Sequence, residues 1–312
     1  MKPMSKLFLI VSGIIAAIGG VLIIIGGCMA KAQGVQLYPQ TTDGNYVYTV
    51  DITDTEVSKI SIDATDTDIS VYTSQEKEYI EFINFNENYY SVSTTNRVIS
   101  FDEYVDLTSM VAFWDSNFSF RGMRSLFSIG RRITGDKKIN IYLSDERDIN
   151  IFDFSIESGT INISDISTNT DYKFTVESGN IILKNVSTLS CVTLKANECT
   201  VTLENCSFGS FSGDVATLNM SGGIASLHTF NLNAKSGSVA CDVSFDSDNT
   251  SVAAMTNGTV ILNGSTVTTP YKSITDNTEI TDEYATLNVT GETLNLNFNY
   301  PVTKAEETEK TE

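Results

Sequence analysis

The segment that decides the fold is FSIESGTINI at residues 154–163, which returns as FTVESGNIIL at 174–183 and as LKANECTVTL at 194–203. Looser copies follow at 234–239 and 255–260. Within each copy, apolar and polar residues alternate, which is typical of half-buried β-strands. A fixed period of 20 residues between the first copies predicts repeated structural units that stack on one another.

The period also places apolar residues in register, in the sets 161/181/201, 163/183/203 and 166/186/206. One unit cannot bury these side chains alone, whereas stacked units bring them within about 4.8 Å of each other in a continuous core. We therefore predict an all-β fold, a β-solenoid in the form of a single-stranded β-helix with coils of about 20 residues. A β-sandwich of hairpins, with Glu-Ser-Gly as turns, is the alternative.

Glycine and asparagine mark the expected corners of each coil. Glycine suits a bend that needs a positive φ, and asparagine tolerates tight turns. Asn185 and Asn205 stand in register before the second bend. The corner glycines are Gly159, Gly179, Gly237 and Gly258.

The N-terminal region differs from the rest in hydropathy. Residues 7–27 carry no charge, and a helix of this length spans about 31 Å, which is enough to cross a bilayer. Because Lys2 and Lys6 precede this segment, we predict a cytoplasmic stretch at 1–6, a transmembrane helix at 7–27 and the bulk of the chain outside the cell membrane. Cys28, after Ile-Gly-Gly, leaves open a lipoprotein signal with lipid on that cysteine. A cleaved secretory signal fits less well, because its apolar region would be shorter.

The rest of the chain divides by composition and pattern. Residues 28–58 are expected to form a linker and a first strand, and residues 59–303 the extracellular β-solenoid domain. An aromatic and basic insertion at 102–137 interrupts this domain. The charged tail at 304–312 is poor in apolar residues and is predicted to be disordered.

The net charge argues against one class of function, and the local charge distinguishes one segment from the rest of the chain. With 20 Lys+Arg against 39 Asp+Glu, the formal net charge is −19, which argues against non-specific nucleic-acid binding. Residues 121–138 reverse this trend, with six basic residues and one acidic residue. Aromatic and basic side chains together suit contact with anionic lipid head groups or envelope polymers. Capping of the end of the fold and docking of a protein partner are the other interpretations. The candidate contact residues are Trp114, Phe118, Phe120, Arg121, Arg124, Arg131 and Arg132.

The acidic residues and the single histidine indicate no catalytic, cofactor or metal site. Glu157 and Glu177 stand in register, a spacing compatible with glycosidase chemistry, but the third copy has Asn197 there. His228 has no nucleophile motif before it. The cluster of Asp63, Asp66 and Asp68 lacks the glycine spacing of calcium-binding loops.

The cysteines beyond residue 28 show no Cys-x-x-Cys spacing. Cys206 shares the register of Ile166 and Val186 and is therefore expected to be a buried free thiol. Pairing of Cys191 with Cys206 or Cys199 stays open.

The overall layout resembles a bacterial family named "Putative adhesin", domain of unknown function 4097. The resemblance covers roughly 40–300 and lies in the apolar N-terminus, the alternating segment at 60–72, the strand KINIYL at 138–143 and the repeated Ser-Gly-x-Ile units. Ser144 stands where the family has a proline. The resemblance implies a β-helical, envelope-associated protein and supplies no catalytic residues.

Three functions follow as expectations. The first is a non-enzymatic, membrane-anchored cell-surface protein, an adhesin that binds an envelope polymer, a glycan or a partner protein along its outer face. The second is an envelope-stress accessory or sensor that acts through a membrane protein partner. The third is a β-helical carbohydrate-active enzyme.

Overall fold

The computed structural model describes residues 40–42, 45–74, 77–85, 90–103, 135–144, 147–247, 249–275 and 284–300. These residues form sixteen β-strands and no helix. In chain order the strands are β1 (Gln40–Thr42), β2 (Asn45–Asp51), β3 (Lys59–Thr73), β4 (Tyr79–Ile83), β5 (Tyr90–Thr95), β6 (Val98–Glu103), β7 (Lys137–Leu143), β8 (Ile151–Ser164), β9 (Asp171–Lys184), β10 (Ser187–Leu227), β11 (Thr229–Phe245), β12 (Thr250–Met255), β13 (Val260–Leu262), β14 (Ser265–Val267), β15 (Tyr271–Thr275) and β16 (Ala285–Asn299).

All sixteen strands belong to one sheet. Its main path runs β1-β2-β4-β7-β3-β8-β9-β10-β11-β16-β12-β15, and β5, β6, β13 and β14 attach beside this path. The path begins at β1 and ends at β15 without returning on itself, so the sheet is open.

The middle of the sheet is parallel and follows the sequence repeat. Ile161 of β8 lies opposite Ile181 of β9, and Ile181 lies opposite Val201 of β10, so the predicted 20-residue register is confirmed. Burial alternates along these strands, and the inward side chains of both halves of each long strand join one hydrophobic cluster. Stacking of like residues in register thus builds the core.

The predicted fold class needs correction. The all-β content is confirmed, but the single-stranded β-helix is wrong, because the strands form one open sheet of mixed parallel and antiparallel pairs. The β-sandwich alternative would need two sheets. The physical reason lies outside the repeat, where short turns make hairpins: Asn96 and Arg97 both have positive φ between β5 and β6, as do Asn263 and Gly264 between β13 and β14. Such turns match the twist of antiparallel strands.

The predicted membrane topology is also corrected. Among the described residues, no helix has the length and apolar character needed to cross a membrane. The segment 7–27, the neighbouring stretch 1–6 and Cys28 lie outside the described residues. The prediction of a single-pass protein in the cell membrane is accordingly withdrawn.

One corner of the parallel region carries a ladder of polar side chains. Asp165, Asn185 and Asn205 adopt left-handed φ values of 59°, 51° and 53°, which short polar residues tolerate best. The Nδ2 of Asn185 donates to Asp165 Oδ1 at 2.6 Å, and the Nδ2 of Asn205 donates to Asn185 Oδ1 at 3.1 Å. The predicted turn role of the two asparagines is thus confirmed. At the opposite corner, Gly159 has a φ of 128°, and a side chain there would meet the carbonyl oxygen of Thr67.

Candidate binding face

One line of outward-facing residues crosses the sheet from β4 to β16. Tyr79 pairs with Tyr142 and Tyr142 with Tyr72. The same register continues from Ser164 to Lys184 and Glu204, and from Gly223 to Asp242 and Asn299. We call this line the outer column; its members are Tyr79, Tyr142, Tyr72, Ser164, Lys184, Glu204, Gly223, Asp242 and Asn299.

Two links in the outer column follow from adjacent residues. Val71 pairs with Ile163, so the next residues, Tyr72 and Ser164, are neighbours. Gly222 packs so closely on Leu203 that a Cβ there would lie 1.9 Å from the Leu203 carbonyl oxygen, so Gly223 and Glu204 are neighbours as well. The column is therefore continuous from β4 to β16.

Three tyrosines form a stack at one end of the outer column. The ring centroids of Tyr79 and Tyr142 are 4.5 Å apart, and those of Tyr142 and Tyr72 are 5.3 Å apart, with interplanar angles of 23° and 26°. Beyond Tyr72 the column continues with Ser164, whose side chain is too short to cover a ring. Tyr72 is 37% exposed, which makes it the open end of this tyrosine stack.

The middle tyrosine keeps its proton at physiological pH. Burial between its neighbours raises the pKa of Tyr142 to about 12, and the carboxylate of Glu81 adds to this effect. A protonated phenol both donates and accepts hydrogen bonds. The stack therefore offers hydroxyl groups next to apolar ring surface.

A groove of about 640 Å³ lies further along the same column. It opens where the column reaches Gly223, which contributes no side chain between Glu204 and Asp242. The apolar floor comes from buried residues such as Ile224 and Val243. We call this feature the glycine groove, because the missing side chain creates it.

Polar side chains surround the glycine groove and hold one another in place. Glu204 Oε1 lies 3.0 Å from Lys184 Nζ, and Asn299 donates to Asp242 Oδ1 at 2.8 Å. Asn263 Oδ1 accepts from the backbone amide of Tyr300 at 2.7 Å. The lining residues are Leu203, Glu204, Asn205, Cys206, Gly223, Ile224, Ala225, Asp242, Val243, Ser244, Asn263, Asn299 and Tyr300.

These bonds leave two amide groups partly available to a ligand. Among the described residues, neither Asn205 Oδ1 nor Asn263 Nδ2 has a hydrogen-bond partner. Amides and carboxylates in this state can exchange hydrogen bonds with hydroxyl groups. Beside them, Tyr300 packs edge-on against Phe245, with ring centroids 5.9 Å apart, and gives the groove an aromatic wall.

The contact residues predicted from sequence fall elsewhere. Residues 104–134 lie outside the described residues, and with them Trp114, Phe118, Phe120, Arg121, Arg124, Arg131 and Arg132. Their contact with lipid, polymer or a partner stays a prediction.

The acidic residues considered for catalysis or metal binding serve local structure where they are described. Glu177 accepts a hydrogen bond from Asn197 at 3.1 Å. Glu157, at the same position of the preceding repeat, is exposed. Asp68 accepts from the backbone amide of Thr160 at 2.9 Å, and Asp66 accepts from Ser158. Within the described part of the chain, no group of three or more His, Cys, Asp or Glu side chains could hold a metal ion.

The histidine and the described cysteines also have local partners or burial. His228 Nδ1 lies 3.1 Å from Asp246 Oδ1, and both side chains are exposed. All four described cysteines are free thiols. Burial raises the pKa of Cys199 and of Cys241 to about 12, so these thiols stay protonated and unreactive. The prediction that Cys206 is a buried free thiol is confirmed.

Comparisons with known proteins add names and no function. No family model matches the chain, and no curated protein matches it. A "putative cell adhesion protein" from Clostridium sporogenes is 11% identical and aligns over 82% of this chain and 100% of its own, with a TM-score of 0.34. A "putative adhesin" from Parabacteroides distasonis is 8% identical over 81% and 96%, with a TM-score of 0.37. A "putative lipid binding protein" from Parabacteroides distasonis is 13% identical over 82% and 96%, with a TM-score of 0.23.

The solved structures thus include proteins named as adhesins, but these scores are too low to carry an argument about this chain. No family model supports the specific resemblance to domain of unknown function 4097. The outer column is therefore the feature from which we infer a function.

The sequence patterns did not predict the tyrosine stack or the glycine groove, although the sequence contains a sign of each. The pair Gly222-Gly223 interrupts an otherwise regular strand pattern, as a close backbone approach or a gap would. Tyr72 and Tyr142 are the second-last residues of β3 and β7, at outward positions of the alternating pattern. Recognising that these residues share one column requires the pairing of β3 with β7, which the repeat does not encode.

Proposed function

We propose that the chain acts by binding rather than by catalysis, and that it binds an uncharged polysaccharide in the glycine groove. The observation that carries the proposal is the open groove at Gly223, lined by carboxylates, amides and one tyrosine. These are the groups that exchange hydrogen bonds with sugar hydroxyls, and Tyr300 adds apolar surface for the carbon–hydrogen face of a sugar ring.

Charge selects the class of polymer. Glu204 and Asp242 border the groove, and the nearby Lys184 is already paired with Glu204. The whole chain carries a formal charge of −19. Polymers with sulfate, phosphate or carboxylate groups are repelled by such a surface, whereas uncharged chains are not.

The exposure of the two carboxylates argues for binding and against hydrolysis. A pair of acids that cleaves glycosidic bonds needs one member held protonated in an apolar, water-poor site. Glu204 and Asp242 are both exposed, and the groove is open. A protein of this kind would act as an adhesin toward the polysaccharide of a wall or of another cell.

Affinity gel electrophoresis tests the proposal. The full chain is run through gels that contain hydroxyethyl cellulose, xylan, galactomannan, soluble starch or glycol chitin, and through gels with polygalacturonate or dextran sulfate. We expect retardation by at least one of the first five polymers. Any retardation by an anionic polymer would come from the basic segment 121–138 and should not depend on Gly223. Reducing ends should not increase when the same polymers are incubated with the chain.

Two variants of one residue localise the binding. Gly223→Leu fills the groove and should abolish the retardation, while Gly223→Ala adds one methyl group and should preserve most of it. The proposal is wrong if no uncharged polymer retards the chain, if only the anionic polymers do, or if Gly223→Leu is retarded like the unaltered chain.

A further inference from the structure

We propose that the tyrosine stack is a second contact site for the same polysaccharide, so that the protein distinguishes long chains from short ones. The inference rests on the proposed function of the glycine groove. It adds a separate set of residues and a property, chain-length recognition, that the groove alone would not have.

The two sites share one line on the surface. Tyr72 and the groove residues Glu204, Gly223, Asp242 and Asn299 all belong to the outer column, and only Ser164 and Lys184 lie between them. With strands ~4.8 Å apart, the groove section from Glu204 to Asn299 covers about 14 Å, and the distance from Tyr72 to Asn299 is about 29 Å. One extended polymer can therefore touch both sites.

The chemistry of the stack suits the same ligand as the groove. Its three rings, at centroid distances of 4.5 and 5.3 Å, present phenol hydroxyls beside apolar carbon, as a sugar presents hydroxyls beside carbon–hydrogen faces. The open side of Tyr72, above Ser164, leaves room for a ring to pack there. Tyrosine is also a low-entropy contact residue, because only two side-chain torsions must be fixed.

The path between the sites is polar and close to neutral. Ser164 carries no charge, and Lys184 and Glu204 neutralise each other across 3.0 Å. An uncharged polymer therefore meets no unpaired charge along this stretch. A polymer bound in the groove can continue to the tyrosine stack.

The affinity should therefore depend on the length of the sugar chain. A pyranose unit is about as long as the ~4.8 Å strand spacing, so about three sugars cover the groove and about six cover the distance from Asn299 to Tyr72. A chain of seven sugars therefore reaches the Tyr72 ring. Two sites on one ligand convert the second contact into an intramolecular event and raise the overall affinity. We expect a chain of seven sugars to bind about tenfold more tightly than a chain of three.

Isothermal titration calorimetry with the full chain tests this inference. The probes are three- and seven-residue oligomers of β-1,4-linked glucose, xylose, mannose and N-acetylglucosamine and of α-1,4-linked glucose. Tyr72→Ala should lower the affinity for the seven-residue oligomer to that of the three-residue oligomer and leave the latter unchanged. Tyr72→Phe, which keeps the ring, should keep most of the length dependence, and Leu189→Ala, at an exposed residue outside the outer column, should keep all of it.

The outcomes separate the inference from the function on which it rests. Equal affinity for both lengths, with binding still abolished by Gly223→Leu, overturns the tyrosine site and leaves the groove in place. Length dependence that persists in Tyr72→Ala overturns it as well, once thermal unfolding shows that the variant is folded. Absence of binding to oligomers of either length overturns both proposals.

Discussion

Gly223 of the groove and its neighbour Gly222 should respond in opposite ways to the same substitution. Gly222→Ala should destabilise the fold strongly, and Gly223→Ala should not. Both residues lie in β10 but differ in backbone φ and in the atoms around them, so each variant is the control for the other.

The structure gives the size of the difference. Gly222 has a φ of 126°, and its added Cβ would lie 1.9 Å from the oxygen and 2.7 Å from the carbon of the Leu203 carbonyl. A φ that essentially only glycine adopts costs ~1–3 kcal/mol. Relief of the clash requires the two backbones to separate, and each hydrogen bond lost between them costs about 1 kcal/mol more. We expect a loss of about 3–5 kcal/mol in the free energy of unfolding.

Gly223 has no such constraint. Its added Cβ would meet only the carbonyl oxygen of Asp242 within 4 Å, at 3.6 Å, which is ordinary contact. Alanine also restricts the unfolded chain more than glycine does, which stabilises a protein by ~0.4–1 kcal/mol where the native conformation allows it.

Urea denaturation of the two variants, followed by circular dichroism, measures both free energies of unfolding. A fold of ordinary stability, ~5–15 kcal/mol, would lose a large part of it in Gly222→Ala. Equal stability of the two variants, or a loss below about 1 kcal/mol in Gly222→Ala, would refute the close approach of Gly222 to Leu203 and with it the placement of Gly223 beside Glu204 in the outer column.

Three further predictions concern the corner ladder, alkaline pH and a buried ion pair. Asn185→Ala should cost ~1–2 kcal/mol more than Asn185→Gly in urea denaturation, because both lose the side-chain hydrogen bonds but only alanine resists the left-handed φ. Burial raises the pKa of Tyr142 and of Cys241 to about 12, so the unfolded chain releases these protons first, and the free energy of unfolding should fall between about pH 9 and 12; a flat profile there would contradict it. Glu78→Gln should cost about 3 kcal/mol, since it leaves Arg147 without the carboxylate 3.2 Å away, and a loss below 1 kcal/mol would show that the pair is solvated.

The sequence predicts the parallel centre of the sheet well. Residues 154–203 repeat every 20 residues, and that period places Ile161, Ile181 and Val201 opposite one another. The left-handed turns at Asn185 and Asn205 follow from the same register, because a small polar residue is the natural occupant of such a corner. Local pattern and tertiary structure agree wherever the repeat is intact.

The strand pairing at the ends of the sheet and the position of the binding face cannot be predicted from the repeat. β3 pairs with β7 and β8 across long sequence separations, and β11 pairs with β16 rather than with the next strand. No local pattern encodes these pairings, since they depend on which strand edges of the parallel centre are left free. The outer column joins residues from all these strands, so its tyrosine stack and its groove become visible only in the folded chain.

Hydroxyl-radical footprinting of the full chain, with and without the polysaccharide that retards it in gels, shows whether an uncharged polysaccharide lies along the outer column. Tyr72, at 37% exposure, and the groove residue Tyr300 should become less oxidised when the polymer is bound. Leu189, which is 79% exposed and not a member of the outer column, should be oxidised equally in both states. Unchanged oxidation of the two tyrosines, or equal protection of Leu189, would show that the polymer does not lie along the outer column.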